Sequence, residues 1–139
     1  MDYETYRERH FVDPPPEPRF RTEGLAGCAL YLRDYDAAVD FYSTVLGPPA
    51  YVEGEYTRGW RLGSAWLTLF PGEAPPAAVE VHVRLVDPND VDRMHAALVA
   101  AGATGPAPSD EFMYDPIRFG QVTDPFGVTF VLVADLEAS

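Results

Sequence analysis

Residues 28–33 carry the pattern of a strand, and from Asp34 the period lengthens. Ala38, Phe41, Tyr42, Val45 and Leu46 recur at helical spacing and make one apolar stripe, with Asp34 placed to cap the helix that bears it. Gly47-Pro48-Pro49 ends that helix, because glycine suits the position after a last turn and proline cannot continue one. Three strand-like runs follow, at Tyr51 to Tyr56, Gly59 to Leu62 and Ala65 to Phe70. The expected turns between them are Thr57-Arg58 and Gly63-Ser64.

After a linker, Pro71-Gly72-Glu73-Ala74-Pro75-Pro76, the same order returns. Val79 to Val86 reads as a strand. Asp87 opens a helix whose apolar face is Val91, Met94 and Leu98, and Ala101-Gly102 closes it. A loop rich in Pro and Asp is expected through Asp115, then strands at Ile117 to Val122 and Val128 to Val133. The whole reads βαβββ twice, and two such units can pair about a pseudo-twofold axis and enclose a cavity. The expected class is α+β: a curved mixed sheet around a cavity, with helices on its convex side. The domain should span 24–139, with modules at about 25–72 and 78–134. Residues 1–23 lack this periodicity, and Pro14-Pro15-Pro16-Glu17-Pro18 imposes an extended course. They read as an arm, either disordered or laid across a partner subunit.

Composition narrows the function. With 10 basic and 22 acidic residues among 139, the net charge of −12 repels phosphate backbones, so nucleic acid is not an expected partner. A cationic guest suits this surface, and so does plain solubility. Eight Tyr, eight Phe and two Trp favour a β-rich fold, an aromatic pocket or a subunit interface. The single cysteine, Cys28, excludes an intrachain disulfide and a thiolate metal cluster. The charged stretch Met1 to His10 has no apolar centre like that of a signal peptide, and no run reaches membrane-spanning length. No membrane partner and a cytoplasmic location are therefore expected. No glycine-rich phosphate loop or nucleophile elbow occurs.

The duplicated order resembles the vicinal oxygen chelate superfamily, the group of glyoxalase I, bleomycin-resistance proteins and extradiol dioxygenases. The residues that carry the likeness are Phe41-Tyr42 and Leu46-Gly47 at the first helix, and Asp124-Pro125-Phe126-Gly127 before the last strand. The run from Arg118 to Gly127 is similar to the bacterial glyoxalase/bleomycin-resistance branch. The resemblance covers residues 25–134. It implies a cavity in which metal-dependent members hold one divalent ion on His and Glu side chains, to polarise a substrate with adjacent oxygens.

Carried over by counting from the two Asp turns, those ligand positions fall at Gly27, His82 and Val131. Only His82 is a donor, so no metal and no cofactor are expected. A one-residue shift brings Ala26 or Cys28, and Phe130 or Leu132, into the outer two. His10 and His95 lie too far off on this topology. Rebuilding the set with Gly27→His and Val131→Glu is the expected way to create a metal site.

Strand alternation places Glu80, His82 and Arg84 on one face. His82 is a candidate base or ligand anchor tuned by Glu80, with Arg84 for an anionic group; the same row also reads as a salt-bridged sheet surface. Tyr31 shares the parity of Gly27 and either donates to a ligand or fills space. Trp60 and Trp66 wall a pocket, or belong to the core or an interface. Met113 and Tyr114 are the expected rim contacts, or anchors of an ordinary loop. Arg118 is expected to orient the Asp124 turn. Three readings follow: a metal-free, dimeric small-molecule-binding protein of the bleomycin-resistance kind, whose ligand is cationic or aromatic; an enzyme of the same superfamily with an atypical metal site or Glu80/His82 acid–base chemistry; or a dimeric scaffold.

Overall fold

Eight strands form one sheet in the order β2-β3-β4-β1-β5-β8-β7-β6 in the computed structural model, which describes residues 2–73, 77–123, 125 and 128–136. The first module contributes β1 (Thr22–Leu32), α2 (Tyr35–Leu46), β2 (Tyr51–Glu53), β3 (Thr57–Leu62) and β4 (Ala65–Pro71). The second contributes β5 (Ala77–Leu85), α3 (Pro88–Ala100), β6 (Ser109–Met113), β7 (Asp115–Thr123) and β8 (Thr129–Asp135). In each module the first strand runs parallel to the last, β1 with β4 and β5 with β8. The modules join through β1 and β5, which are antiparallel. That relation is what a pseudo-twofold axis between two copies of one unit requires. The α+β architecture with a curled mixed sheet is the one the sequence pattern led us to expect.

Both module helices pack on the outer face of the sheet. Under α2, Tyr35, Trp60 and Leu69 are buried with Leu30, Leu32, Ala38, Val39 and Tyr42 around them. Under α3, Leu85, Val91, Leu132 and Ala134 are buried against Phe20, Met94 and Leu98. Asp87 caps α3 by accepting from the Asn89 amide at 2.9 Å, with Pro88 in the first turn. Asp34 stands before α2 without a side-chain cap bond. A smaller cluster, Ala26, Ile117, Val131 and Val133 with Met113 and Phe119, fills the inner face of the second module.

Four expectations need correction. Tyr3–His10 is a helix, α1, not an extended arm; every one of its described side chains is at least partly exposed and none is buried. Its support is local. Asp2 accepts from the Thr5 amide at 2.8 Å, Arg7, Arg9 and His10 face the carbonyl end, and Arg7 lies over the Phe11 ring at 4.3 Å. Apolar periodicity is therefore not what makes it helical. Second, β1 begins at Thr22, inside the region assigned to the arm. Third, β2 stops at Glu53 and the turn falls at Gly54 to Tyr56, where Gly54 has φ of 61°, so the turn is not at Thr57-Arg58. Fourth, the loop expected through Asp115 contains β6, whose strand pattern is masked by its acidic residues. Of the Asp124-Pro125-Phe126-Gly127 turn only Pro125 lies within the described residues, as do only Pro71, Gly72 and Glu73 of the linker.

Candidate functional site on the concave face

Side chains alternate across the sheet, so register decides which of them meet. Gly27 is the cross-strand partner of both Trp66 and His82, and His82 is the partner of Val131. The three counted positions therefore lie side by side on β1, β5 and β8. Glu80 and Arg84 share the face of His82, as expected. Tyr31 joins them, stacked on Phe70 at 5.1 Å.

Glu80 is the hub of a polar row. Its Oε1 lies 3.3 Å from Nε2 of His82, a nearly buried imidazole. It also accepts from the Tyr31 hydroxyl, whose pKa is raised first by burial, then by the Glu80 charge and by that hydrogen bond. Arg84 turns instead to Asp135, at 2.8 Å. A carboxylate between a phenol and an imidazole can pass or hold a proton.

The first module supplies an aromatic wall. Trp66 lies flat against Tyr114, with ring centroids 4.3 Å apart and planes 1° from parallel. Tyr51 meets Tyr114 edge-on at 4.6 Å. The Tyr114 hydroxyl is 2.5 Å from Oγ1 of Thr68, itself buried on β4. Burial raises the pKa of this phenol, against the Thr68 bond and with the Glu53 charge. Tyr51 donates to Glu53, and that bond raises its own pKa. Tyr114 thus reaches from the β6–β7 corner at one end of the sheet to β2 and β4 at the other. A cavity of about 140 Å³ remains, lined by Tyr51, Glu53, Thr57, Thr68, Phe70, His82, Phe112, Met113 and Tyr114.

The structure brings Tyr31, Glu80, His82, Trp66, Met113 and Tyr114 to this face and leaves Trp60 out. Trp60 is buried under α2 and donates from Nε1 to the Gly47 carbonyl at 2.8 Å. It sits one residue out of phase with Gly59, the position that faces inward. Arg118 does not serve the Asp124 turn among its described contacts. It clasps Asp92 of α3 at 2.8 and 3.2 Å and Asp110 at 3.1 Å. Sequence reasoning missed Tyr51, Thr68 and Phe70, although strand parity from Trp66 would have found the last two.

The donor set does not fit a family-type metal centre. A divalent ion takes several protein donors, and the Gly27, His82, Val131 triplet offers one imidazole. Gly27 also refuses a replacement: a Cβ there would stand 2.0 Å from the Trp66 carbonyl oxygen, and its φ is 152°. The expected route to a metal site through Gly27→His is therefore closed by the backbone of β4. Cys28, the neighbouring thiol, faces the other way, with its pKa raised by burial. His95 is buried on α3 near Gly120, on the helix side of the sheet. Among the described residues no three His, Cys, Asp or Glu side chains gather to hold an ion.

Comparison with known proteins decides the lineage. Residues 24–132 match the family model described as Glyoxalase/Bleomycin resistance protein/Dioxygenase superfamily. The chain belongs to that superfamily. An Mn(II)-bound glyoxalase from Novosphingobium aromaticivorans shares 18% identity at a TM-score of 0.70, over 84% of this chain and 40% of that one. A substrate complex of homoprotocatechuate 2,3-dioxygenase from Brevibacterium fuscum shares 25% identity at a TM-score of 0.68, over 86% of this chain and 40% of that one. Methylmalonyl-CoA epimerase from Mycobacterium tuberculosis shares 17% identity at 0.62, over 94% and 96%. The superfamily member thus spans about 40% of the length of the glyoxalase and the dioxygenase. No curated protein matches it in sequence. No helix among its described residues is long and apolar enough to cross a membrane.

Proposed function

We propose that this superfamily member is a metal-free small-molecule-binding protein of the bleomycin-resistance kind, holding its ligand on the concave face. The observation that carries the reading is the triplet Gly27, His82 and Val131, in which one position of three is a donor and one cannot accept a side chain. The wall of Trp66 and Tyr51, on which Tyr114 is seated, supports an aromatic ligand, and the net charge of −12 a cationic one. The binding unit is a homodimer with a twofold interface, the commonest soluble assembly. Sedimentation giving a clean monomer at tens of micromolar would refute the dimer.

The test of the main reading is metal analysis after chelator-free purification, with calorimetric titration by manganese, iron, nickel and zinc. No stoichiometric metal is expected. A metal bound one to one and lost in His82→Ala overturns the reading.

The Tyr31–Glu80–His82 row supports a second reading, an enzyme that moves a proton without a family-type metal. His82 would take a proton from a carbon acid, with Glu80 stabilising the imidazolium. Exchange of such a proton in D2O, present in the parent and absent in His82→Ala, would favour it over simple binding.

A further inference from the structure

We propose that Tyr114 is an internal stand-in for the ligand: its ring fills a subsite for a phenol, and the ligand enters by displacing it. The proposal rests on the reading of the concave face as the ligand site. Four observations converge on it.

The first is complementarity. The ring lies flat on Trp66, edge-on to Tyr51, and bonded at its hydroxyl to buried Thr68, with the cavity beside it. These are the contacts that a free phenol would use.

The second is the bare backbone of the opposing strand, against which the ring packs. A Cβ on Gly59 would come within 3.1 Å of the Tyr114 hydroxyl and 3.3 Å of the Trp66 ring. The absent side chain leaves room for a ring and its oxygen at this place.

The third is backbone strain. Tyr114 has φ of 66°, the one positive value at a non-glycine among the described residues. Bulky residues avoid that region. The strained residue sits where β6, the last strand in the sheet order, turns into β7, two residues after Phe112, which is 88% exposed. Swinging the corner outward relieves the strain at the cost of the ring contacts and of the packing of Met113 on the cluster of Ile117 and Val131.

The fourth is size. The open cavity beside the ring is about 140 Å³, whereas sites for drug-sized ligands run to ~300–1,000 Å³. Departure of the Tyr114 ring enlarges the site, and the vacated space has the shape of a phenol.

The experiment uses the full chain and p-cresol, which is the tyrosine side chain as a free molecule. Tyr114→Gly removes the ring and suits the backbone at φ of 66°. By calorimetry it should bind one p-cresol about tenfold or more tightly than the parent does, on the stacking and hydroxyl contacts regained. Toluene, which cannot bond to Thr68, should bind Tyr114→Gly several-fold more weakly than p-cresol. Adding Trp66→Ala should remove the gain. A folded Tyr114→Gly that binds p-cresol no better than the parent overturns the proposal, as does binding indifferent to Trp66→Ala. Should that variant fail to fold, Tyr114→Phe decides: losing the Thr68 bond, it should open more readily and bind p-cresol more tightly than the parent, and equal or weaker binding overturns the proposal. These readouts need no metal. Stoichiometric metal in the parent would strike the metal-free reading alone, and silent p-cresol titrations the subsite alone.

Discussion

Glu80 and His82 stand two apart on one strand, and the carboxylate of the first lies 3.3 Å from Nε2 of the second. Residues two apart share a face, so β5 alone creates this pair without help from any turn or loop. The fold adds what surrounds it. Tyr31 arrives from β1 to give Glu80 a second partner.

Replacing Glu80 should therefore be read out on Tyr31. In Glu80→Gln the charge and the carboxylate acceptor disappear while burial, the largest cause of the raised pKa, remains. The phenol should ionise at lower pH than in the parent, yet still above the ordinary value near 10. Ultraviolet difference titration of tyrosinate against a Tyr31→Phe control measures it. An unchanged titration would show that Glu80 does not face Tyr31.

Tyr31, Tyr51 and Tyr114 all have raised pKa values in the fold. Below the ordinary tyrosine value near 10, folded and unfolded chains are both protonated there, and their contribution is fully present. Above it the unfolded chain loses these protons first, so stability should fall as pH rises through the folded values. Urea unfolding between about pH 9 and 11 should show a slope that is shallower in Tyr31→Phe. An identical slope would contradict the assigned direction.

Gly27→Ala should destabilise the fold by about 2–5 kcal/mol, combining a positive-φ penalty with overpacking. The added Cβ meets a backbone oxygen, which cannot rotate away as a side chain does. Denaturant titration checks this, with Gly24→Ala as a control: that residue also has positive φ, 102°, but open space around it. Equal losses in the two variants would show that the contact with β4 adds nothing.

The two tryptophans should separate stability from binding. Trp60 is buried under α2 with a bond to Gly47, so Trp60→Ala should cost about 3–5 kcal/mol. Trp66→Ala should cost less and abolish the stacking platform for Tyr114. Thermal unfolding and p-cresol titration, run on both in the Tyr114→Gly background, report the two effects.

Arg118 reaches two carboxylates, but on an accessible surface. Such pairs are worth about 0–1 kcal/mol each. Arg118→Gln should lower stability by about that much, and by less in molar salt. A loss several times larger would mean that the clasp between α3 and β6 is a structural anchor.

Local pattern was enough for much of this protein. The stripes through Ala38 and Tyr42 and through Val91, Met94 and Leu98, the glycines after each helix, and the alternation through Glu80, His82 and Arg84 rest on periods of 3.6 and 2, whereas Phe41 and Leu46, expected on the first stripe, are exposed. A sequence displays those periods directly. So does the duplication, and with it the α+β class and the emptiness of the counted positions at Gly27 and Val131. Tertiary structure decided the rest, because it depends on pairs far apart in the chain. Which tryptophan faces the cavity follows from the register of β3 and β4, and a shift of one residue exchanges Trp60 for its neighbour. The partners of Arg118 depend on where α3 and β6 lie beside β7. The helix at Tyr3–His10 rests on capping and cation–π contacts that carry no apolar period. That Gly27 cannot become a ligand is set by a carbonyl 39 residues away, at Trp66. Tyr114 lies 48 residues from Trp66 and 46 from Thr68, and only the curl of the sheet brings its ring to them.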